Sequence, residues 1–80
     1  MNFSSWLFEQ TDLPGDVGKI AKVCWNDANN GCGSARFTAR QWTEHFAVRH
    51  PDNKVILGEL IVVAYLAMMK ELKNERPGSR

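Results

Sequence analysis

The stretch Asp52–Asn74, DNKVILGELIVVAYLAMMKELKN, reads as a helix that is apolar on nearly every side, with Asp52 or Asn53 as its N-cap after the helix-breaking His50-Pro51 pair. Its unbroken apolar run, Leu60 to Met69, is ten residues, against the roughly 20 that a membrane span needs. A helix apolar all round must be the central one of its domain or must find a partner chain. Two stripes run along it at helical spacing. Leu57, Ile61, Ala64, Met68 and Leu72 form one, and Val62, Tyr65, Met69 and Lys73 form the other. One stripe faces the domain, and the other is left for a second protomer or a partner protein, where methionines suit an adaptable contact.

Upstream, the remaining segments also carry helical rather than strand periodicity. Thr38 followed by Gln41 is a capping box, with Phe37 and Trp42 placed to form a hydrophobic staple around it. The helix it opens has Ala39, Trp42 and Phe46 on its inner face and ends at His50-Pro51-Asp52. Before it, Val17, Ile20, Ala21, Cys24 and Ala28 recur on one face of a helix that begins at Asp16, and Asn29 to Ser34, NNGCGS, ends that helix. A short first helix spans Asn2 to Gln10, with Asn2 or Ser4 as its cap and Phe3, Trp6, Leu7 and Gln10 at helical spacing.

The turn between these first two helices, Pro14 to Ala21 (PGDVGKIA), invites a phosphate-binding reading and fails it. A P-loop needs glycine where Leu13 stands and a hydroxyl where Ile20 stands, and the nucleotide-clamping GXXG loop belongs to a fold with a sheet. What remains is a helix start, with Asp16 capping and complementing the dipole and Gly18 permitting a close helix crossing. The same residues carry a resemblance. Trp6-Leu7-x-x-Gln10-x-Asp12-x-x-x-x-Val17-Gly18-x-Ile20-Ala21, followed by Asp27, resembles the opening of the YozE-like family of small bacterial helical proteins, although Lys19 stands where that family usually has an acidic residue. The resemblance implies a fold similar to the sterile alpha motif, a compact bundle of four or five helices, and a general expectation of protein or nucleic acid binding.

Composition narrows the function classes. Ten Lys and Arg against nine Asp and Glu give a net charge of +1, so no overall field draws the chain to nucleic acid or to an anionic membrane. A local basic segment does exist: Arg36, Arg40, Arg49 and Lys54 outnumber Glu44 and Asp52, and they supply the alternative reading of a DNA- or RNA-binding helical domain. Arg40 and Glu44 also satisfy the spacing of a surface i, i+4 pair. The acids Asp12, Asp16, Glu44, Glu59 and Glu71 are scattered over different helices, and no nucleophile has a base beside it in a motif, so the sequence nominates no catalytic residues. Two cysteines without a CxxC spacing fit a reducing cytoplasm.

One constellation points to metal chemistry. Cys32, His45 and His50 match two of the three spacings of a Cys2His2 zinc finger, and Cys24 would complete the set. The gap between Cys24 and Cys32 is too long for that motif, and Cys24 lies on an apolar stripe where a thiol serves as a small hydrophobe, so the expectation is no cofactor. Three tryptophans and four phenylalanines in 80 residues are more apolar surface than one small core easily hides. Trp25 falls one position off its helix's apolar stripe beside Asn26 and Asp27, and with Tyr65 and Met69 it is the candidate protein-binding residue set.

The expected protein is thus a single all-α domain over residues 1–74, a compact four-helix, or five-helix, bundle with a long apolar C-terminal helix, followed by a disordered tail over residues 75–80. Its expected role is that of a non-catalytic interaction module of a bacterial or phage cytoplasm. The partner is a protein, either a larger complex or a second copy, with nucleic acid as the alternative and with neither membrane nor small-molecule substrate.

Overall fold

The computed structural model describes residues 2–74, as four α-helices and, among those residues, no strand. They are α1 (Phe3–Phe8), α2 (Gly15–Asn29), α3 (Ala39–Arg49) and α4 (Lys54–Asn74). The tail anticipated over residues 75–80 lies outside the described residues.

Local chemistry sets most of these boundaries. Asn2 is the cap of α1, its side chain accepting from Ser5 N–H at 2.7 Å. The helix is shorter than its periodicity suggests, because Glu9 and Gln10 close tighter i to i−3 bonds onto the Trp6 and Leu7 carbonyls. At α3 both halves of the capping box are made: Thr38 Oγ1 accepts from Gln41 N–H at 3.1 Å, and Gln41 Oε1 accepts from Thr38 N–H at 2.9 Å. Phe37 meets the edge of Trp42 at 5.0 Å, completing the staple.

The start of α2 differs from expectation. Pro14 holds the N-cap position with no side-chain bond, and the helix opens at Gly15, whose φ of +83° only glycine adopts without strain. Asp16 lies inside the first turn, so it complements the dipole without capping. Gly18 does permit a close approach, and the nearest neighbour it admits is the preceding turn. A Cβ there would lie 1.7 Å from the Leu13 carbonyl oxygen.

The longest helix, α4, is the hub: it packs against α1, α2 and α3. Leu57, Ile61, Ala64 and Met68 form its buried face, in one core with Trp6, Leu7, Ile20, Cys24, Trp42 and Phe46. Leu72, placed on that stripe by spacing, is exposed; it sits about 60° around the helix from Leu57 at 100° per residue. Polar bonds lock α1 into this core at both its ends. The fully buried Ser4 hydroxyl donates to the Phe37 carbonyl at 2.6 Å and accepts from the Trp42 indole N–H at 2.7 Å. The Trp6 indole N–H donates to Glu71 at 2.9 Å, fastening α1 to the end of α4.

Candidate functional site

Two features stand out from this scaffold, a titratable cluster at the C-terminal ends of α2 and α3 and an apolar surface on α4. The cluster begins with Asp27, in the last turn of α2, where the helix dipole disfavours negative charge. The residue is nevertheless only 8% exposed. Its Oδ2 lies 2.8 Å from His45 Nε2 and 2.8 Å from His50 Nε2. With the carboxylate ionised, each imidazole donates its Nε2–H to the same oxygen.

Each partner reaches Asp27 for an identifiable reason. His45 is carried on the middle of α3, with a side chain 10% exposed that is enclosed by Trp42, Phe37 and Phe46, the ring of Trp42 meeting it edge-on at 5.3 Å. His50 is the C-cap of α3, and its non-helical backbone turns it off the helical spiral and back toward α2. Its amide donates to the Phe46 carbonyl at 2.8 Å, closing the helix, and Pro51 prevents the helix from continuing. Asp27 itself is anchored by its main chain, since its carbonyl accepts from Cys32 N–H at 2.8 Å and Asn30 N–H at 3.2 Å.

Electrostatically the site is a partly buried carboxylate without a Lys or Arg partner among the described residues. Burial by itself pushes the Asp27 pKa up, but the hydrogen bonds from His45 and His50 and the positive charge these rings can carry outweigh it and hold the carboxyl below its ordinary range. Cys24, fully buried one turn earlier on α2, has its thiol pushed well above the ordinary range, by burial first and by the Asp27 charge second. It is therefore a neutral core residue at physiological pH.

Of the four residues that suggested a zinc finger, the structure brings together His45 and His50 and supplies Asp27 as the third member. The cysteines are not part of that group. Cys24 points into the core, and Cys32 lies with its sulfur 3.6 Å from the Asn30 carbonyl oxygen. Sequence reasoning missed Asp27 because it stands 18 and 23 residues from its partners, across a nine-residue loop, Asn30 to Thr38. The available signal was an acid in the last turn of a helix.

The second feature is the outer face of α4. Val55, Val62, Tyr65, Leu66, Met69 and Leu72 are all exposed, and at 100° per residue they fall within one arc of about 120°. Tyr65 rests against Phe3 of α1, with ring centroids 6.0 Å apart. Between this arc and α3 lies an open groove of about 420 Å³ lined by Thr38, Ala39, Arg40, Thr43, Ile61, Val62 and Tyr65. Trp25 is 47% exposed on α2 and packs edge-on against Phe8 of α1 at 5.4 Å.

The basic residues do not make a comparable surface. Arg36, Arg40, Arg49 and Lys54 are exposed, but Arg40 and Arg49 are nine positions apart on α3 and so project about 180° from each other. Arg40 also lies 3.6 Å from Glu44, the expected surface pair. Nor does α3 dock on α2 as a recognition helix docks on its support; its main packing partner is α4.

Among the described residues no helix is long and apolar enough to cross a membrane. No protein-family model matches the chain, and no curated protein and no solved structure is significantly similar to it.

Proposed function

We propose that the chain is a non-catalytic interaction module, a bundle similar to the sterile alpha motif fold, whose partner is a second copy bound through the outer face of α4. The observation that carries this reading is the contiguous apolar arc from Val55 to Leu72 on the longest helix. Single exposed apolar residues are ordinary, but a rimmed apolar patch on a small domain marks a contact surface. Val55, Val62 and Met69 recur every seven residues, as do Tyr65 and Leu72, at the spacing of the a and d seam of a helix pair, while Gly58, one heptad before Tyr65, faces Thr43 of α3.

Charge selects the occupant and its direction. Glu59, Leu66 and Lys73 form a single line along the edge of the seam, also at intervals of seven. In an antiparallel pair with Leu66 on the two-fold axis, Glu59 of one protomer faces the partner's Lys73, and the reverse contact repeats it. Each charge stands about 10 Å from the axis, given a rise of 1.5 Å per residue. A parallel pair would set Glu59 against Glu59 and Lys73 against Lys73.

Sedimentation velocity tests this directly. The native protein is expected to sediment as a dimer, Leu66→Glu as a folded monomer, and Glu59→Lys as a weakened dimer that Lys73→Glu restores in the double variant. A native monomer at all accessible concentrations would remove the second copy as occupant. A dimer indifferent to Leu66→Glu would place the interface elsewhere.

The nucleic-acid alternative draws on the charge excess of residues 36–54 alone, and the opposed directions of Arg40 and Arg49 weigh against it. Binding there would weaken steeply with added salt, whereas an apolar interface is far less sensitive.

A further inference from the structure

Asp27, His45 and His50 pose a charge question that hydrogen bonding alone does not answer. A carboxylate that is nearly withdrawn from water is ordinarily matched by a cation. Here its partners are two imidazoles, and no Lys or Arg among the described residues pairs with it. The three donor atoms, one carboxylate oxygen and two Nε2, lie within 4.8 Å of one another and come from α2, from α3 and from the cap that follows α3. We propose that this cluster is a binding site for a divalent transition metal ion, with zinc as the best fit.

The donor set argues for this class of ion. Two imidazoles and one carboxylate are the ligands of borderline metals such as zinc, cobalt and iron, whereas magnesium and calcium take oxygen alone. An ion bound at 2.0–2.2 Å by tetrahedral ligands separates those ligands by roughly 3.3 Å. The present 2.8 Å contacts reach that spacing by opening a few tenths of an ångström. Protons balance as well. Each Nε2 that donates a hydrogen to Asp27 must instead offer its lone pair to the ion, and the proton passes to Nδ1 of the same ring or to solvent.

The surroundings hold the ligands in place and leave a way in. Asp27 is braced through its carbonyl by the Cys32 and Asn30 amides, and His45 is enclosed by aromatic rings. The His50 side chain is 31% exposed, so the site opens to solvent on that side and can complete its coordination with water. This differs in kind from a zinc finger, because no thiolate takes part and none of the three ligands belongs to the apolar core around which the helices pack.

The test is calorimetric titration of metal-stripped, folded protein near neutral pH with zinc alone and then with cobalt alone, the latter followed by absorption. One equivalent of zinc is expected to bind, and the cobalt complex is expected to lack the near-ultraviolet band of thiolate ligation. His50→Gln, His45→Gln and Asp27→Asn should each weaken zinc by more than the about 10- to 100-fold that loss of a group merely supporting a ligand costs. Cys32→Ser should leave the affinity unchanged. Circular dichroism reports whether each variant keeps its helices. Should His45→Gln fail to fold, the more exposed His50→Gln carries the comparison. Absence of stoichiometric zinc binding to the folded native chain would overturn the proposal. A thiolate band lost in Cys32→Ser, or zinc affinity undiminished in His50→Gln, would overturn it equally.

Discussion

Two buried polar hubs hold this small domain together, and they differ in one respect that decides what each can do. Ser4 joins α1 to the start of α3 through a neutral hydroxyl that both donates and accepts, and every bond it makes stays inside the protein. Asp27 joins α2 to the end of α3 through a carboxylate that only accepts, and its partners are two imidazoles. A neutral, fully satisfied hub stabilises over a wide range of pH and has no use for anything in solution. A charged hub depends on groups that favour its ionised form, so it remains coupled to protons.

The largest break in this contrast should come from Trp42→Ala. It removes the Ser4 bond together with a ring that packs on Phe37, Phe46 and His45, so both hubs lose support. The ring also fills the space over Gly33, where a Cβ would come within 2.6 Å of it. A loss of about 3–5 kcal/mol in urea unfolding is expected. Ser4→Ala isolates the neutral hub, leaving a buried indole N–H without an acceptor, and should cost about 1–3 kcal/mol with no dependence on pH between mild acid and neutrality. A strong pH dependence of that loss would erase the distinction between the hubs.

Acid titration isolates the charged hub. The folded-state pKa of Asp27 is depressed, so its contribution is complete above the unfolded value near 3.9 and is lost as pH falls through the folded pKa. The native protein should therefore lose more stability than Asp27→Asn as pH drops below about 4. Equal acid slopes for the two proteins, read from urea midpoints across that range, would show that Asp27 carries no linked stability. The smallest effect belongs to Trp25→Ala, which touches neither hub. Half-exposed and in edge contact with Phe8, this ring should contribute about 1 kcal/mol, as a typical aromatic pair does. A loss several times larger would make Trp25 a core residue in solution.

How far the chain could be read in advance follows the range of the interactions. The capping box at Thr38 and Gln41 and the staple of Phe37 and Trp42 are visible in sequence, because their partners lie within five residues of each other. The two stripes of α4 were equally plain, since periodicity is a local property, although spacing did not say which stripe would be buried. Ser4 was legible only as a possible cap, and its real partners stand 33 and 38 residues away. Asp27 is the sharper case. The histidines drew notice through a spacing shared with zinc fingers, which pointed to Cys24 and Cys32, whereas the fold buried one thiol and turned an aspartate toward the rings. Only packing across the Asn30–Thr38 loop decides that exchange, and no periodic signal crosses it.

The bond from Trp6 to Glu71, spanning 65 residues, has a kinetic consequence. A six-residue helix is far below the roughly 12 residues at which isolated helices begin to persist in water, so α1 gains its shape only on docking. Part of its docking surface is the far half of α4, where Phe3 meets Tyr65 and Trp6 meets Glu71. Those contacts form only when nearly the whole chain has closed into a loop, which delays them relative to the local turns of α2 and α3. Until then Leu7 and Trp6 leave an opening in the core, and the domain in transit exposes the very surface that its first residues later seal.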